Sequence, residues 1–292
     1  MMTKMFVRKK RFCRVILILA VLAAAAVGGL FALRPDLRFI VKHEFIQLSK
    51  SADVTEISES SLTLKSMYIN ELEHNGCTVN QSLMLVNCDN TLGSSFKAEI
   101  VDYKNSGAMI NRCAEQAFEE LSDAVKKNTG EPLYIISSFR TAQEQEEILS
   151  EQGSDTAMSA GSSEHQTGLA LDVYTDGYAG MGFLKSDAGQ FVNSKCGEYG
   201  FIIRYPLLKK DVTGIEYEPW HIRYVGLPHS EIISREYETL EEYFDSLECG
   251  KFYRYGGYII SRQKGELVRV PEGSETTVSS DNCGGWIITV KE

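Results

Sequence analysis

Two histidines and two carboxylates of this 292-residue chain stand at spacings that suit a metal-dependent hydrolase. His165 precedes Asp172 by seven residues, and Glu218 precedes His221 by three. Two imidazoles and one carboxylate hold zinc in many catalytic sites, which keep a fourth position open and place another carboxylate nearby as a base. The residues therefore indicate zinc-assisted hydrolysis, although either histidine taken alone also suits a structural role.

The local backbone decides whether these side chains meet. In a regular strand, residues three apart face opposite sides, so Glu218 and His221 converge only if the chain turns between them. Pro219 lies between them and disfavours a regular central strand. Asp172 ends an apolar strand, and the loop before that strand is expected to bring His165 back over it.

Apolar periodicity predicts the elements that carry these residues. Predicted strands cover residues 82–87, 133–137, 168–173, 201–204 and 221–225. Predicted helices cover residues 109–128, 142–151, 187–199 and 230–247. The order lacks regular βαβ alternation, which favours an α+β fold with a small mixed or antiparallel sheet and flanking helices. Aromatic and β-branched segments with glycine turns after Cys249 predict a small β-rich appendage.

The amino terminus has the pattern of a membrane anchor. Six basic residues precede an uncharged apolar run at residues 15–33, which is close to the roughly 20 residues that cross a bilayer. The basic residues predict a cytoplasmic amino terminus and an extracytoplasmic remainder. A cleaved signal peptide, with cleavage near the alanines at 23–26, is the alternative and predicts a secreted protein.

These patterns predict four regions along the chain. Residues 1–34 form the cytoplasmic tail and transmembrane helix, and residues 35–80 form an extracytoplasmic stalk. Residues 81–247 form the catalytic domain, and residues 248–292 form the β-rich appendage.

Charge and cysteine content restrict the partners and the compartment. Residues 1–34 hold seven of the 30 basic residues and none of the 40 acidic ones, so the remainder is strongly acidic. An acidic body repels phosphate backbones, which argues against nucleic acid as a partner. In an exported chain, disulfides Cys77–Cys88 and Cys249–Cys283 are expected, with free buried thiols as the alternative.

Two motifs, taken together, resemble those of a known family. S-x-H-x-x-G-x-A-x-D runs from Ser163 to Asp172, and E-x-W-H runs from Glu218 to His221. This combination is similar to the M15 family of zinc D-Ala-D-Ala peptidases. Flanking stretches such as SSFRTAQEQ, together with the order of anchor, stalk, catalytic domain and tail, resemble the VanY-type D,D-carboxypeptidases of glycopeptide resistance. The resemblance implies the D-Ala-D-Ala peptidase, or hedgehog-like, fold.

The resemblance also implies a role for each matching residue. It implies that His165, Asp172 and His221 bind one zinc ion. It implies that Glu218 is the catalytic base and that Arg140 holds the substrate and stabilises the oxyanion. The other implied substrate contacts are Gln145, Ser163 and Trp220. From the residues alone, Trp220 suits core packing equally well.

Together these observations predict a membrane-anchored, extracytoplasmic zinc D,D-carboxypeptidase. Its expected substrate is a peptidoglycan precursor stem peptide that ends in D-Ala-D-Ala, and its expected product lacks the terminal D-Ala. The resemblance further suggests a role in glycopeptide resistance, because glycopeptides bind that terminus.

Other functions fit parts of the same sequence. An L,D-carboxypeptidase or an endopeptidase acting on the same stem peptide would use the same catalytic residues. A non-catalytic wall-binding module is disfavoured by the intact Glu218. Ser94–Lys97 spells S-x-x-K and Ser280–Asn282 spells S-D-N, two signatures of serine penicillin-binding enzymes, but the third signature, K-T-G, is absent.

Overall fold

The computed structural model describes residues 28–29, 31–152 and 158–292, and it divides after Leu48 into two compact units. In the first unit, helix α1 covers Pro35–Gln47, with proline at its first position, where no backbone N–H is needed. Most of the predicted apolar span at 15–33, namely residues 15–27 and 30, lies outside the described residues. Within the described part, no helix is both long enough and apolar enough to cross a membrane.

The second unit, Ser49–Glu292, carries all the described strands. They are β1 Thr55–Ile57, β2 Leu64–Tyr68, β3 Thr78–Asn80, β4 Ile100–Asp102, β5 Met109–Asn111, β6 Tyr134–Ser137, β7 Ala170–Tyr174, β8 Phe201–Ile203, β9 His221–Tyr224, β10 Phe252–Tyr255, β11 Tyr258–Lys264, β12 Leu267–Pro271, β13 Glu275–Ser280 and β14 Gly285–Lys291. Its α-helices are α2 Glu115–Thr129, α3 Ala142–Gln152, α4 Asp187–Lys195, α5 Lys210–Thr213, α6 His229–Ile232 and α7 Leu240–Ser246. The chain is therefore a mixed helix and sheet fold, as its sequence predicts.

A four-stranded antiparallel sheet, in the order β6-β7-β9-β8, forms the centre of the predicted catalytic domain. One face buries Leu171, Val173 and Ile222 against an apolar cluster that includes Phe118 of α2. Successive residues of a strand face opposite sides, so the intervening residues of β7 and β9 project from the other face. The sheet thus has one face for the hydrophobic core and one that is available for polar side chains.

The region predicted to be a stalk forms part of a second sheet. The six-stranded order is β1-β10-β11-β14-β13-β3, and β2 pairs separately with β12. Strands from residues 55–80 thus pair with strands that follow residue 250, and Ser49–Glu292 is one compact unit. The predictions of a free stalk through residue 80 and of a separate appendage at 248–292 are therefore wrong. The physical reason is that the carboxyl-terminal strands leave edges that need pairing partners.

Three predicted elements differ from the structure. The helix predicted at 109–128 begins only at Glu115, because Met109–Asn111 is β5 and pairs with β4. The apolar stretch 82–87 is not a strand, because the carbonyls of Ser82 and Met84 accept hydrogen bonds from the Arg223 guanidinium. The predicted helix 230–247 is interrupted between α6 and α7. Glu238 has a φ of 65°, and the Thr239 hydroxyl then accepts from the backbone N–H of Glu242, which starts a new helix.

All six cysteines of the described residues are free thiols. Cys77 is buried in the apolar cluster of the six-stranded sheet, whereas Cys88 is exposed. Cys249 is also exposed, and the Cys283 thiol lies 3.2 Å from the Asn90 side-chain oxygen. The expected pairs Cys77–Cys88 and Cys249–Cys283 are therefore wrong, and the alternative of free buried thiols holds for Cys77 and Cys196.

Gly168 joins the turn at Glu164–Thr167 to β7 and has a φ of 68°. A Cβ atom there would lie 2.9 Å from the backbone nitrogen of Asn111. We expect Gly168→Ala to lower the free energy of unfolding by roughly 2–4 kcal/mol, because it combines backbone strain with overpacking. Urea-induced unfolding measures this change.

Gly177 provides the matched control. It has a φ of 78°, and apart from its two chain neighbours no described residue has an atom within 4 Å of the position that its Cβ would take. Gly177→Ala should therefore cost only about 1 kcal/mol. Equal losses for the two variants would show that crowding at Gly168 contributes nothing.

Candidate active site

An open cavity lies on the face of the four-stranded sheet that is turned away from the core. Its walls include every site residue that the sequence predicts. These residues are Arg140, Gln145, Ser163, His165, Asp172, Glu218, Trp220 and His221. The fold therefore brings together side chains that are distant along the chain.

Strand register places the central pair of the site. Asp172 of β7 lies directly opposite His221 of β9, and the two share the face opposite to the core. His221 Nδ1 is 3.0 Å from Asp172 Oδ1. The turn before β7 returns His165 over the strand, so that its Nε2 is 3.4 Å from Asp172 Oδ2.

The three donor groups fit a zinc ion. His165 Nδ1 lies 2.8 Å from the carbonyl oxygen of Ser138, to which it donates, so Nε2 keeps a free lone pair on the Asp172 side. One ligand atom from each of His165, Asp172 and His221 lies within 4.8 Å of the others. Zinc–nitrogen bonds of about 2.0–2.1 Å in a tetrahedron separate ligand atoms by about 3.3 Å. The separations of 3.0 and 3.4 Å between Asp172 and the two histidines are close to this value.

Glu218 stands beside the donors because the chain turns before β9. The backbone N–H of His221 donates to the Glu218 carbonyl at 3.1 Å, and Glu218 Oε2 is 3.6 Å from His221 Nδ1. Burial raises the pKa of the Glu218 carboxyl above its ordinary value, although the positive charge of Arg140 opposes this shift. A carboxylate with a raised pKa is a better proton acceptor near neutral pH.

Arg140 follows β6 and brings a positive charge to the donors. Its Nη2 lies 3.5 Å from Asp172 Oδ2. The Ser137 hydroxyl accepts hydrogen bonds from Arg140 Nε at 3.0 Å and from Nη2 at 2.5 Å. Arg140 Nη1 also donates to Gln145 Oε1 at 3.4 Å. Ser137 and Gln145 thus fix the guanidinium, and the sequence gives no direct sign of the contribution of Ser137.

Apolar side chains complete the cavity wall. Trp220 lines the cavity and also packs against the core, as expected for a substrate contact and for a core residue. Ser163 is buried at the wall. The remaining apolar lining comes from Ile148, Met158 and Ile215. Such a mixture of apolar walls and a few fixed polar groups is typical of a small-ligand site.

A buried ionic cluster lies beneath the site. Arg204 and Arg223 are 0% exposed, and both donate to Glu164 Oε1, at 2.8 and 2.6 Å. Glu241 accepts two further hydrogen bonds from Arg204. Burial raises the pKa of Glu164, but the two arginines outweigh it and hold that pKa below its ordinary value. The only sequence signal was the position of Glu164 beside His165 within the first motif.

The residues of the two motifs that resemble those of a serine penicillin-binding enzyme do not form a catalytic site in this fold. Ser94 and Lys97 are exposed. Asp281 is buried and pairs with Arg262, and the Asn282 amide donates to backbone carbonyl groups. Asp281 and Asn282 thus stabilise a loop, and Ser94 and Lys97 have exposed side chains outside the cavity, so the serine-enzyme alternative is wrong.

Comparison with known proteins agrees with this geometry. Residues 107–227 match the family model of VanY, described as D-alanyl-D-alanine carboxypeptidase. A D-alanyl-D-alanine carboxypeptidase of Enterococcus faecium is 35% identical over 216 residues, which cover 67% of this chain and 70% of that protein.

Solved structures give the same result. One is a variant of VanY, a vancomycin resistance D,D-pentapeptidase from a VanB-type cassette, in complex with Zn(II). It is 29% identical to this chain with a TM-score of 0.51, and the match covers 56% of this chain and 98% of that one. The LdcB LD-carboxypeptidase is 30% identical, with a TM-score of 0.53, covering 66% of this chain and 98% of that one. The chain belongs to the VanY family of D-alanyl-D-alanine carboxypeptidases, and it is therefore a peptidase of the M15 class.

The contact between Ser137 and Arg140 can be tested by activity. We expect Ser137→Ala to lower kcat/KM on a peptide ending in D-Ala-D-Ala by about 10-fold, because a hydrogen bond to a charged group is lost. Steady-state kinetics gives the ratio. Ser194→Ala, which removes an exposed hydroxyl on α4, is the control and should retain wild-type activity. If the two variants behave alike, Ser137 does not position the guanidinium.

Proposed function

We propose that this protein is a membrane-anchored zinc D,D-carboxypeptidase that removes the terminal D-Ala from peptidoglycan precursor stem peptides. The observation that carries this proposal is the convergence of His165, Asp172 and His221 within 4.8 Å, with Glu218 beside them. One zinc ion fits this set, and the VanY relative solved with Zn(II) supports the choice of metal.

The residues around the metal divide the chemistry between them. When bound, zinc supplies Lewis acidity, which polarises a carbonyl group and makes water a stronger nucleophile at neutral pH. Glu218 accepts the proton of the attacking water on its carboxylate and later delivers it to the departing amine. The burial that raises the pKa of Glu218 suits both steps.

Arg140 provides the positive charge that the reaction needs beside the metal. Its guanidinium lies near Asp172 and is fixed by Ser137 and Gln145. A fixed cation stabilises the oxyanion that forms when water attacks the peptide carbonyl. Trp220 and the neighbouring apolar side chains form a wall that suits the methyl group of D-alanine.

Removal of the terminal residue has a consequence for antibiotics. Glycopeptides bind the D-Ala-D-Ala end of precursors, so an enzyme that depletes this end protects the cell. The vancomycin resistance role of the VanY relative supports the same role here.

Glu218→Gln tests the proposed mechanism. The amide cannot accept the proton of water, so turnover of a muramyl pentapeptide should fall by roughly 10²–10⁴-fold. Zinc content, measured by elemental analysis, should stay at one ion per chain because Glu218 is not a ligand. Mass spectrometry of the products measures the turnover. Unchanged turnover in a zinc-loaded variant would contradict the assignment of the base.

The same assay separates the two carboxypeptidase specificities. The similarity to LdcB keeps an L,D-carboxypeptidase as the second candidate. Loss of one alanine from the pentapeptide alone supports D,D specificity, whereas attack on the tetrapeptide supports L,D specificity. A chelator should abolish either activity, and penicillin should affect neither.

The proposed location rests on the amino-terminal sequence. The proposed orientation, with a cytoplasmic amino terminus and an extracytoplasmic catalytic unit, is supported by six basic residues followed by the apolar run 15–33. This arrangement gives the enzyme access to precursors on the outer side of the membrane.

Membrane fractionation tests the anchor. The full chain should remain in the membrane pellet after alkaline carbonate extraction, and protease added to spheroplasts should degrade its carboxyl-terminal part. A chain without residues 1–34 serves as the control and should be released to the soluble fraction. Recovery of the full-length gene product in the medium, with a new amino terminus near residues 23–26, would instead establish signal cleavage.

A further inference from the structure

Two buried polar atoms beside the site have no hydrogen-bond partner among the residues that the structure describes. They are Oε2 of Glu164 and the ring nitrogen Nε2 of His221. Both side chains line the same cavity, and both residues are buried. Because buried polar atoms without partners are rare in folded proteins, each of them needs a physical explanation.

The other oxygen of Glu164 is fully engaged. Oε1 accepts hydrogen bonds from Arg204 Nε at 2.8 Å and from Arg223 Nη1 at 2.6 Å. These two contacts fix the carboxylate and leave the lone pairs of Oε2 free. Glu164 therefore offers a charged and rigid acceptor at the cavity wall.

The orientation of the His221 ring determines the state of its Nε2. Nδ1 lies 3.0 Å from Asp172 Oδ1, within the set of donors that fits a metal. A neutral imidazole carries one proton, so a ring that offers the lone pair of Nδ1 to a metal carries its proton on Nε2. A buried N–H group of this kind needs an acceptor.

We propose that Glu164 is a positioning residue whose Oε2 accepts the Nε2 proton of His221 through one bridging water. This inference rests on the proposed zinc site. Such a carboxylate fixes the tautomer and the orientation of a metal-binding histidine, and it makes the ligand nitrogen more basic. Arg204 and Arg223 hold Glu164 in place for this purpose.

Zinc affinity of the full-length chain tests the proposal. In Glu164→Gln, the amide oxygen accepts the hydrogen bonds of the two arginines. The amide NH₂ group then faces the N–H of His221 and cannot accept its proton. We expect zinc to bind about 10–100-fold more weakly, measured by competition with a chromogenic chelator. Asp281→Asn is the matched control, because it alters another buried carboxylate that pairs with an arginine, Arg262, outside the site. It should retain wild-type zinc affinity.

A second measurement needs no variant. The chain contains five histidines, so selective ¹⁵N-histidine labelling gives a simple spectrum. In zinc-loaded wild-type protein, His221 should show a proton on Nε2 that exchanges slowly with water. Rapid exchange of that proton would overturn the proposal even if Glu164→Gln did not fold.

The outcomes distinguish this inference from the proposed function. If the wild-type chain bound no zinc, the zinc proposal would fail and this inference with it. If the wild-type chain bound zinc and Glu164→Gln bound it equally well, only the role of Glu164 would be refuted. Equal weakening in Asp281→Asn would also refute it, because the effect would then be a general loss of stability.

Discussion

The antiparallel register between β7 and β9 fixes the geometry on which the site depends. It sets Asp172 directly across from His221, and opposed residues are the nearest side-chain neighbours in a sheet. A slip of one residue would turn Asp172 into the core and expose Leu171. Leu171 and Ile222 are completely buried on the opposite face, which makes such a slip unfavourable. The hydrophobic core therefore fixes Asp172 and His221 side by side on one face of the sheet.

Local sequence signals were sufficient to predict the helices and strands that carry the site residues. The helix predicted at 142–151 is α3, and the strands predicted at 168–173 and 221–225 are β7 and β9 within two residues. Each has a continuous apolar pattern or a clear boundary, so neighbours in sequence determine its structure. The two motifs likewise identified residues that share one cavity, since each motif is local to one of these elements.

Distant contacts explain what the sequence did not predict. The stretch 82–87 looks like a strand, but its carbonyl groups bond to Arg223, more than 100 residues away. The strands at 55–80 form only because their partners follow residue 250. Glu164 resembles an ordinary surface residue until Arg204 and Arg223 are placed around it. In each case the deciding partner belongs to another element, which no local pattern reveals.

The buried charges beneath the site have a cost that constrains the fold. Two arginines without solvent exposure are tolerated only because Glu164 and Glu241 neutralise them, and removal of one partner leaves an uncompensated charge. Glu164 adjoins a proposed zinc ligand, Arg204 follows β8, Arg223 belongs to β9 and Glu241 belongs to α7. The packing of these elements is therefore expected to be cooperative, because each buried charge needs its partner in place. The cluster couples the position of His165 to the packing of the carboxyl-terminal half, which makes the site a property of the whole catalytic unit.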